Sequence, residues 1–175
     1  MKNLLILVLL FGCVSNPAAP IVTVETVQVP SNTLTTFTVK STLPYLAEVS
    51  RLAECVIHDE DFLKEIRSHK QFDFTDLPSL EIEKKLREYA PIIISSYSKR
   101  FSKTVAYRNI GSNIIYFNTQ KNPRVIKEMV NTAFHEWAHV QGFGHGDNYA
   151  KGKENSIPYG GGLIAEKYVE KCLNF

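Results

Sequence analysis

Methionine is nearly missing from this chain: Met1 and Met129 are the only two in 175 residues, so nothing beyond residue 129 offers a thioether. Long apolar runs are missing too. The longest, Leu4 to Phe11, is eight residues, far short of the ~20 that a bilayer-spanning helix needs. Charge of one sign is not in excess. A formal net charge of +2 gives no footprint for nucleic acid or for an anionic membrane surface. No internal repeat is visible. The length is one domain's worth of chain, and a hydrophobic fraction of 44% is enough for a single core.

Histidine is also sparse, which makes its placement informative. Three of the five lie within His135-Glu136-Trp137-Ala138-His139-Val140-Gln141-Gly142-Phe143-Gly144-His145. On a helix, residues four apart stand on one face, so His135 and His139 can share one metal ion. Glu136 stands one step round, within reach of a water at that metal without ligating it. Gly142 takes up the left-handed conformation at little cost and ends the helix. The chain then turns back, and His145 can supply a third nitrogen. Three protein ligands and one open position is the layout of a catalytic zinc site. The competing reading is a core helix with satisfied histidines. The full spacing, glycine included, arises by chance in about one in 10⁵ chains of this composition, which argues against it.

Over these eleven residues the chain resembles the metzincin zinc endopeptidases, such as astacins, matrixins and serralysins. The resemblance implies an α+β fold: a metzincin-like zincin domain with a small mixed sheet, an active-site helix and a C-terminal helix. It implies Zn²⁺ held by His135, His139 and His145, with Glu136 as general base and a peptide or protein as substrate. Metzincins carry a methionine in a tight turn below the zinc. Here the matching segment is Asn155-Ser156-Ile157-Pro158-Tyr159-Gly160, with Ile157 in the methionine's place. Ile157 can fill the same apolar floor. Tyr159 matches the tyrosine that in astacins and serralysins ligates zinc and swings to stabilise the transition state. The His-Glu-Trp core and the downstream Ile-Pro-Tyr are also similar to uncharacterised bacterial metzincin-like lipoproteins, over roughly residues 45–173. In metzincins the strand shortly before the zinc helix is the edge strand that pairs with substrate, and Ile114 to Asn118 is the candidate here. No cysteine-containing segment like the matrixin pro-peptide switch is present.

Residues 1–12 read as a signal peptide: Lys2 is the charged start and Leu4 to Phe11 the apolar run. Leu10-Phe11-Gly12-Cys13 looks like a bacterial lipobox, which would place a lipid on Cys13 and anchor the protein to the cell envelope, on a periplasmic or surface face. An ordinary secretory signal cleaved near Ala18-Ala19 is the alternative, and either one means export. Residues 13–43 read as the lipid-attachment cysteine and a tether, and residues 44–175 as the catalytic domain. With Cys13 lipidated, Cys55 and Cys172 remain as a pair in an oxidising compartment, and a bridge is expected, two buried thiols being the rival. A monomer is expected, without nucleic acid as partner.

Helical spacing predicts helices from Pro44, from Asp59 to about His69, from Leu77 to Tyr89, from Pro123 to about Gln141 and from Leu163 to Cys172. Asn122 is a good N-cap for the fourth of these. β-like stretches are Ile92 to Tyr97, for which continuation of the helix is the rival, Lys103 to Tyr107 and Asn113 to Asn118. Trp137 reads as core packing, and His58 and His69 as surface or capping residues. Asp147 is a candidate to orient a zinc histidine, or simply a loop residue. Tyr149 to Ser156 reads as a polar lip of the cleft.

Two functions compete with peptide hydrolysis. One is a zinc-binding lipoprotein with a structural or adhesion role and no turnover, in which Tyr159 is a fourth ligand. The other is hydrolysis of a different bond, such as a cell-wall amide.

Overall fold

The computed structural model describes residues 36–121, 124–146 and 155–174. Within them the chain forms strand β1 (Phe37–Val39), helices α1 (Pro44–Ile57), α2 (Glu60–Ser68) and α3 (Ser79–Leu86), strands β2 (Ile92–Tyr97), β3 (Ala106–Arg108) and β4 (Ile114–Asn118), and helices α4 (Ile126–Val140) and α5 (Gly162–Leu173). The sheet order is β1-β2-β4-β3, with β1, β2 and β4 parallel and β3 antiparallel to β4. The architecture is mixed α+β. No described helix is long and apolar enough to cross a membrane.

Local chemistry accounts for the starts of α1 and α2. Pro44 sits in the first turn of α1, where its missing N–H costs nothing. The Asp59 carboxylate caps α2 by accepting from the N–H groups of Asp61 and Phe62, at 2.8 and 3.0 Å. The apolar stripes meet in one core. Leu46, Val49, Leu52 and Val56 of α1 and Phe62, Leu63 and Ile66 of α2 are fully buried. So are Val130, Ala133, Phe134 and Trp137 of α4, together with Ile92, Ile94, Ile115 and Phe117 from the sheet.

Several sequence expectations change. The folded part reaches back into the segment read as tether, because β1 pairs with β2. The cause is Glu54 on α1: its carboxylate accepts from the backbone N–H of Thr36 and of Phe37, at 2.7–3.0 Å, and holds the start of the strand. Strand β4, expected at the edge, is interior, with β2 on one side and β3 on the other. Its ladder groups are used on both sides, so it cannot take a substrate strand. Helix α4 starts at Ile126 and not Pro123, because Val125 is extended at φ −61°, ψ 135°. Asn122 and Pro123 lie outside the described residues. Helix α3 is shorter than Leu77 to Tyr89: Pro78 is extended before it and Tyr89 is left-handed after it. The helical spacing places Leu80, Ile82, Leu86 and Tyr89 partly inward; Ile82 and Leu86 are buried, but Leu80 is 49% exposed. The signal peptide, Cys13 and most of the tether also lie outside the described residues.

Cys55 of α1 and Cys172 of α5 form a disulfide with a Cα–Cα distance of 6.0 Å. It joins residues 117 apart in sequence, so on the chain-entropy account it restricts the unfolded chain by at most about 4–5 kcal/mol. Mass analysis of nonreduced protein should find neither residue reactive as a thiol. Reduction should lower the unfolding free energy by a few kcal/mol, read from the shift of a urea midpoint. An unchanged midpoint would show that the bridge does not stabilise the fold.

Candidate metal centre

Helix α4 is rotated by what it buries. Val130, Ala133, Phe134, Trp137 and Ala138 face the core, and the Trp137 indole N–H donates to the Ala90 carbonyl at 3.1 Å. The opposite face carries His135, Glu136 and His139, each half-buried. As expected, Trp137 is a core residue.

The helix ends as its sequence requires. Gly142 adopts φ +84°, the left-handed region that favours glycine. The turn brings the Phe143 N–H back to the Ala138 carbonyl at 3.0 Å and buries the Phe143 ring. The Phe143 carbonyl then lies 2.8 Å from His139 Nδ1. A carbonyl only accepts, so that nitrogen carries the proton. His145 repeats the arrangement, with Nδ1 2.9 Å from the Gly146 carbonyl. Burial pushes the His139 pKa down, against the pull of its hydrogen bond to Phe143.

These tautomers aim lone pairs at one point. His139 Nε2 lies 3.2 Å from His135 Nε2 and 3.1 Å from His145 Nε2. Lone pairs that close repel unless a cation lies among them. One proton bridges only two nitrogens, whereas one metal ion serves all three. Tetrahedral zinc, with Zn–N bonds of 2.0–2.1 Å, spaces its nitrogens about 3.3–3.4 Å apart, close to these two separations, and the ligand atoms of the three residues lie within 4.8 Å of one another. The group His135, His139 and His145 can hold a metal ion.

Glu136 is beside them. Burial pushes its carboxyl up to about 7, and the Arg108 guanidinium opposes that shift. Arg108, on the edge strand β3, donates to the carbonyls of Asn109 and Ser112 and reaches that of His139 at 3.5 Å. Sequence reading missed this residue, since nothing in its neighbourhood marks it.

Ile157 is buried in the tight helical turn Ile157–Gly161. The turn packs closely on α4: a Cβ on Gly161 would lie 2.6 Å from the Phe134 ring. It carries Tyr159 to the histidines, with ring centres 4.5 Å from His135 and 4.9 Å from His145. The turn is held from outside by residues 69–73. His69 Nε2 contacts Asn155 Oδ1 at 2.6 Å, Asn155 donates to the Gln71 carbonyl, and Asp73 bridges Ser156. His69 and His58 are helix C-caps and stand outside the metal group. Asp147 and most of the expected polar lip lie outside the described residues.

A cavity of about 750 Å³ opens from His135, Glu136 and Tyr159 and runs along α4 toward Glu128. Its other walls are the segment 103–106 leading into β3, and Glu166 of α5. Glu128, Asn131 or Thr132, and His135 recur at helical spacing, a polar stripe that was readable in the sequence. No family model matches the chain, and no curated protein or solved structure matches it.

The purified protein should bind about one divalent transition metal per chain, and His139→Ala should weaken that binding at least about 100-fold. Elemental analysis after dialysis against a graded chelator measures both. Equal metal content in the two proteins would remove the three histidines as the site.

Proposed function

We propose that the chain is a zinc-dependent endopeptidase, built as a metzincin-like zincin domain and exported as a lipoprotein through Cys13. What carries the reading is the convergence of three imidazole Nε2 atoms, two of them fixed as lone-pair donors by carbonyls, with a half-buried carboxylate one residue from the first ligand. The order of elements supports the finer fold description: a mixed sheet with an antiparallel edge strand, then the histidine helix, a tight turn and a C-terminal helix.

His135, His139 and His145 would hold zinc as neutral imidazoles. Zinc bound there supplies Lewis acidity toward a carbonyl oxygen and lowers the pKa of water toward 7. Glu136 accepts a proton from the attacking water and hands it to the departing amine. The Tyr159 hydroxyl donates a hydrogen bond to the oxyanion that develops on the substrate carbonyl. Peptide enters as an added strand along the segment 103–106 and β3, the edge that β4 cannot provide. The domain acts as a monomer on peptide or protein substrates at the cell envelope.

One observation favours the non-catalytic alternative. Tyr159 stands close to two of the three imidazoles, where a permanent fourth ligand would stand. The two readings separate on variants. For a peptidase, Glu136→Gln keeps its metal and loses about 10²–10⁴-fold in kcat. Tyr159→Phe keeps its metal and loses up to about 10²-fold. Cleavage of a quenched-fluorescent peptide library, with metal content measured beside it, reads both. A Glu136→Gln protein as active as the wild type would sink the mechanism. A Tyr159→Phe protein that sheds its metal, in a chain that cleaves nothing, would favour the structural site.

A further inference from the structure

The cavity beside the histidines is a continuation of the proposed active site and carries its own charge pattern. Glu128, Asn131, Thr132 and His135 line it from α4. Glu166 faces Asn131 from α5. Asn131 is one helical turn, about 6 Å along the axis, from His135, so a side chain next to the scissile bond reaches Glu166 without the peptide leaving the centre.

The charges lining the cavity are unequally offset. Arg124, just ahead of α4, is satisfied by that helix: Nε donates to Glu128 Oε2 and Nη1 to Thr132 Oγ1, both at 3.1 Å. That pair is internally neutral. Glu166 is different. Its Oε2 accepts a 3.0 Å hydrogen bond from Asn131, a neutral amide. Among the described residues its nearest cation is Lys127, 3.9 Å from Oε1, beyond hydrogen-bond range and on a side chain 48% exposed. Such a pair contributes little and is screened by salt. The Glu166 side chain is itself only 24% exposed. Lys103, the remaining cation, is an exposed residue at the rim.

The position of Glu166 is built into the packing. Asn131 can approach α5 only because residue 162 is glycine, since a Cβ there would collide with the Asn131 amide oxygen. The amide then fixes the carboxylate one turn further along α5. Resting on the peptidase reading of the same site, we infer that this cavity is a subsite for an arginine or lysine side chain flanking the scissile bond, and that Glu166 selects it. A guanidinium or ammonium would receive from Glu166 the charge-assisted partner that Lys127 supplies poorly. A carboxylate side chain would be repelled by Glu166. An apolar one would take water from the Glu166 carboxylate without gain.

Two measurements on the full chain test this and keep it separate from the peptidase reading. In the first, metal-loaded protein is given a peptide library in which each position around the cleaved bond is varied. Failure to cleave any member would overturn the peptidase reading. Enrichment of arginine and lysine at one flanking position supports the subsite, and enrichment of acidic or aliphatic residues there overturns it. In the second, metal-loaded Glu136→Gln protein is titrated calorimetrically with matched peptides that carry Arg, Gln or Glu at the enriched position, or at each flanking position if none is cleaved. The Arg peptide should bind at least about tenfold more tightly than the Gln peptide. Adding Glu166→Gln should collapse that ratio toward one, and Glu166→Lys should reverse it in favour of Glu. Metal content in each variant checks that the centre is intact. A preference for Arg that persists in both Glu166 variants would overturn the assignment.

Discussion

Burial of one stripe of α4 sets every other geometry at the centre. Val130, Ala133, Phe134, Trp137 and Ala138 fix the rotation of the helix about its axis. Successive residues turn by about 100°, so a slip of one position would carry His135 and His139 away from the cleft and into the sheet or the solvent. The Trp137 indole makes the lock specific. It is wholly buried, packs near Phe37 of β1 and Phe134 of its own helix, and donates to the Ala90 carbonyl. A tryptophan between two candidate catalytic residues thus acts at a distance from them, by setting the direction in which Glu136 and His139 point.

The remaining groups depend on loops, and the loops are held from both sides. Phe143 is buried so that its carbonyl can orient His139. On the far side, His69, Gln71 and Asp73 grip Asn155 and Ser156, which begin the turn bearing Ile157 and Tyr159. Phe74 follows at φ +63°, a conformation that costs a bulky residue roughly 1–3 kcal/mol, and its ring packs on Gly146 next to His145. In this turn Ile157 is fully enclosed. An apolar side chain of about the right volume satisfies that position, and nothing about its surroundings calls for sulfur.

The parts readable from sequence were those governed by periodicity or by a fixed offset. The stripe of α1, strand β2 at Ile92 to Tyr97 and the histidine spacing are short-range facts, and the structure has each of them. The Cys55–Cys172 bridge followed from compartment and counting, and the structure places the pair together. Long-range facts did not read through. Sequence order suggested β4 as the edge, but edge position depends on which strands pair, and β3 docks outside β4. β1 lies in a stretch with the composition of a linker. It folds because a carboxylate on α1, with the His58 ring at 2.9 Å, stands ready for its N–H groups. Arg108 and Glu166 carry no local signature: Arg108 acts on Glu136, 28 positions on, and Glu166 meets Asn131, 35 positions back.

On the proposed peptidase reading, Glu136 distinguishes a working centre from a structural one. Its carboxyl is half-buried, desolvation is the main influence on it, and no described group hydrogen-bonds it. Arg108 acts on it only through charge. A carboxylate placed in this way destabilises the folded protein, because the charge loses water without gaining a direct partner. A site whose task is to clamp loops gains nothing from that residue, and an alanine or leucine would pack there at lower cost. A site that must take a proton from water at a neighbouring ion requires a basic oxygen there, with room to release it again. In the cavity beyond, Asn131 and Gly162 hold Glu166 in a largely sheltered place. On the proposed peptidase reading, the carboxylate beside the ligands and the one a helical turn away both face a substrate that would lie across them.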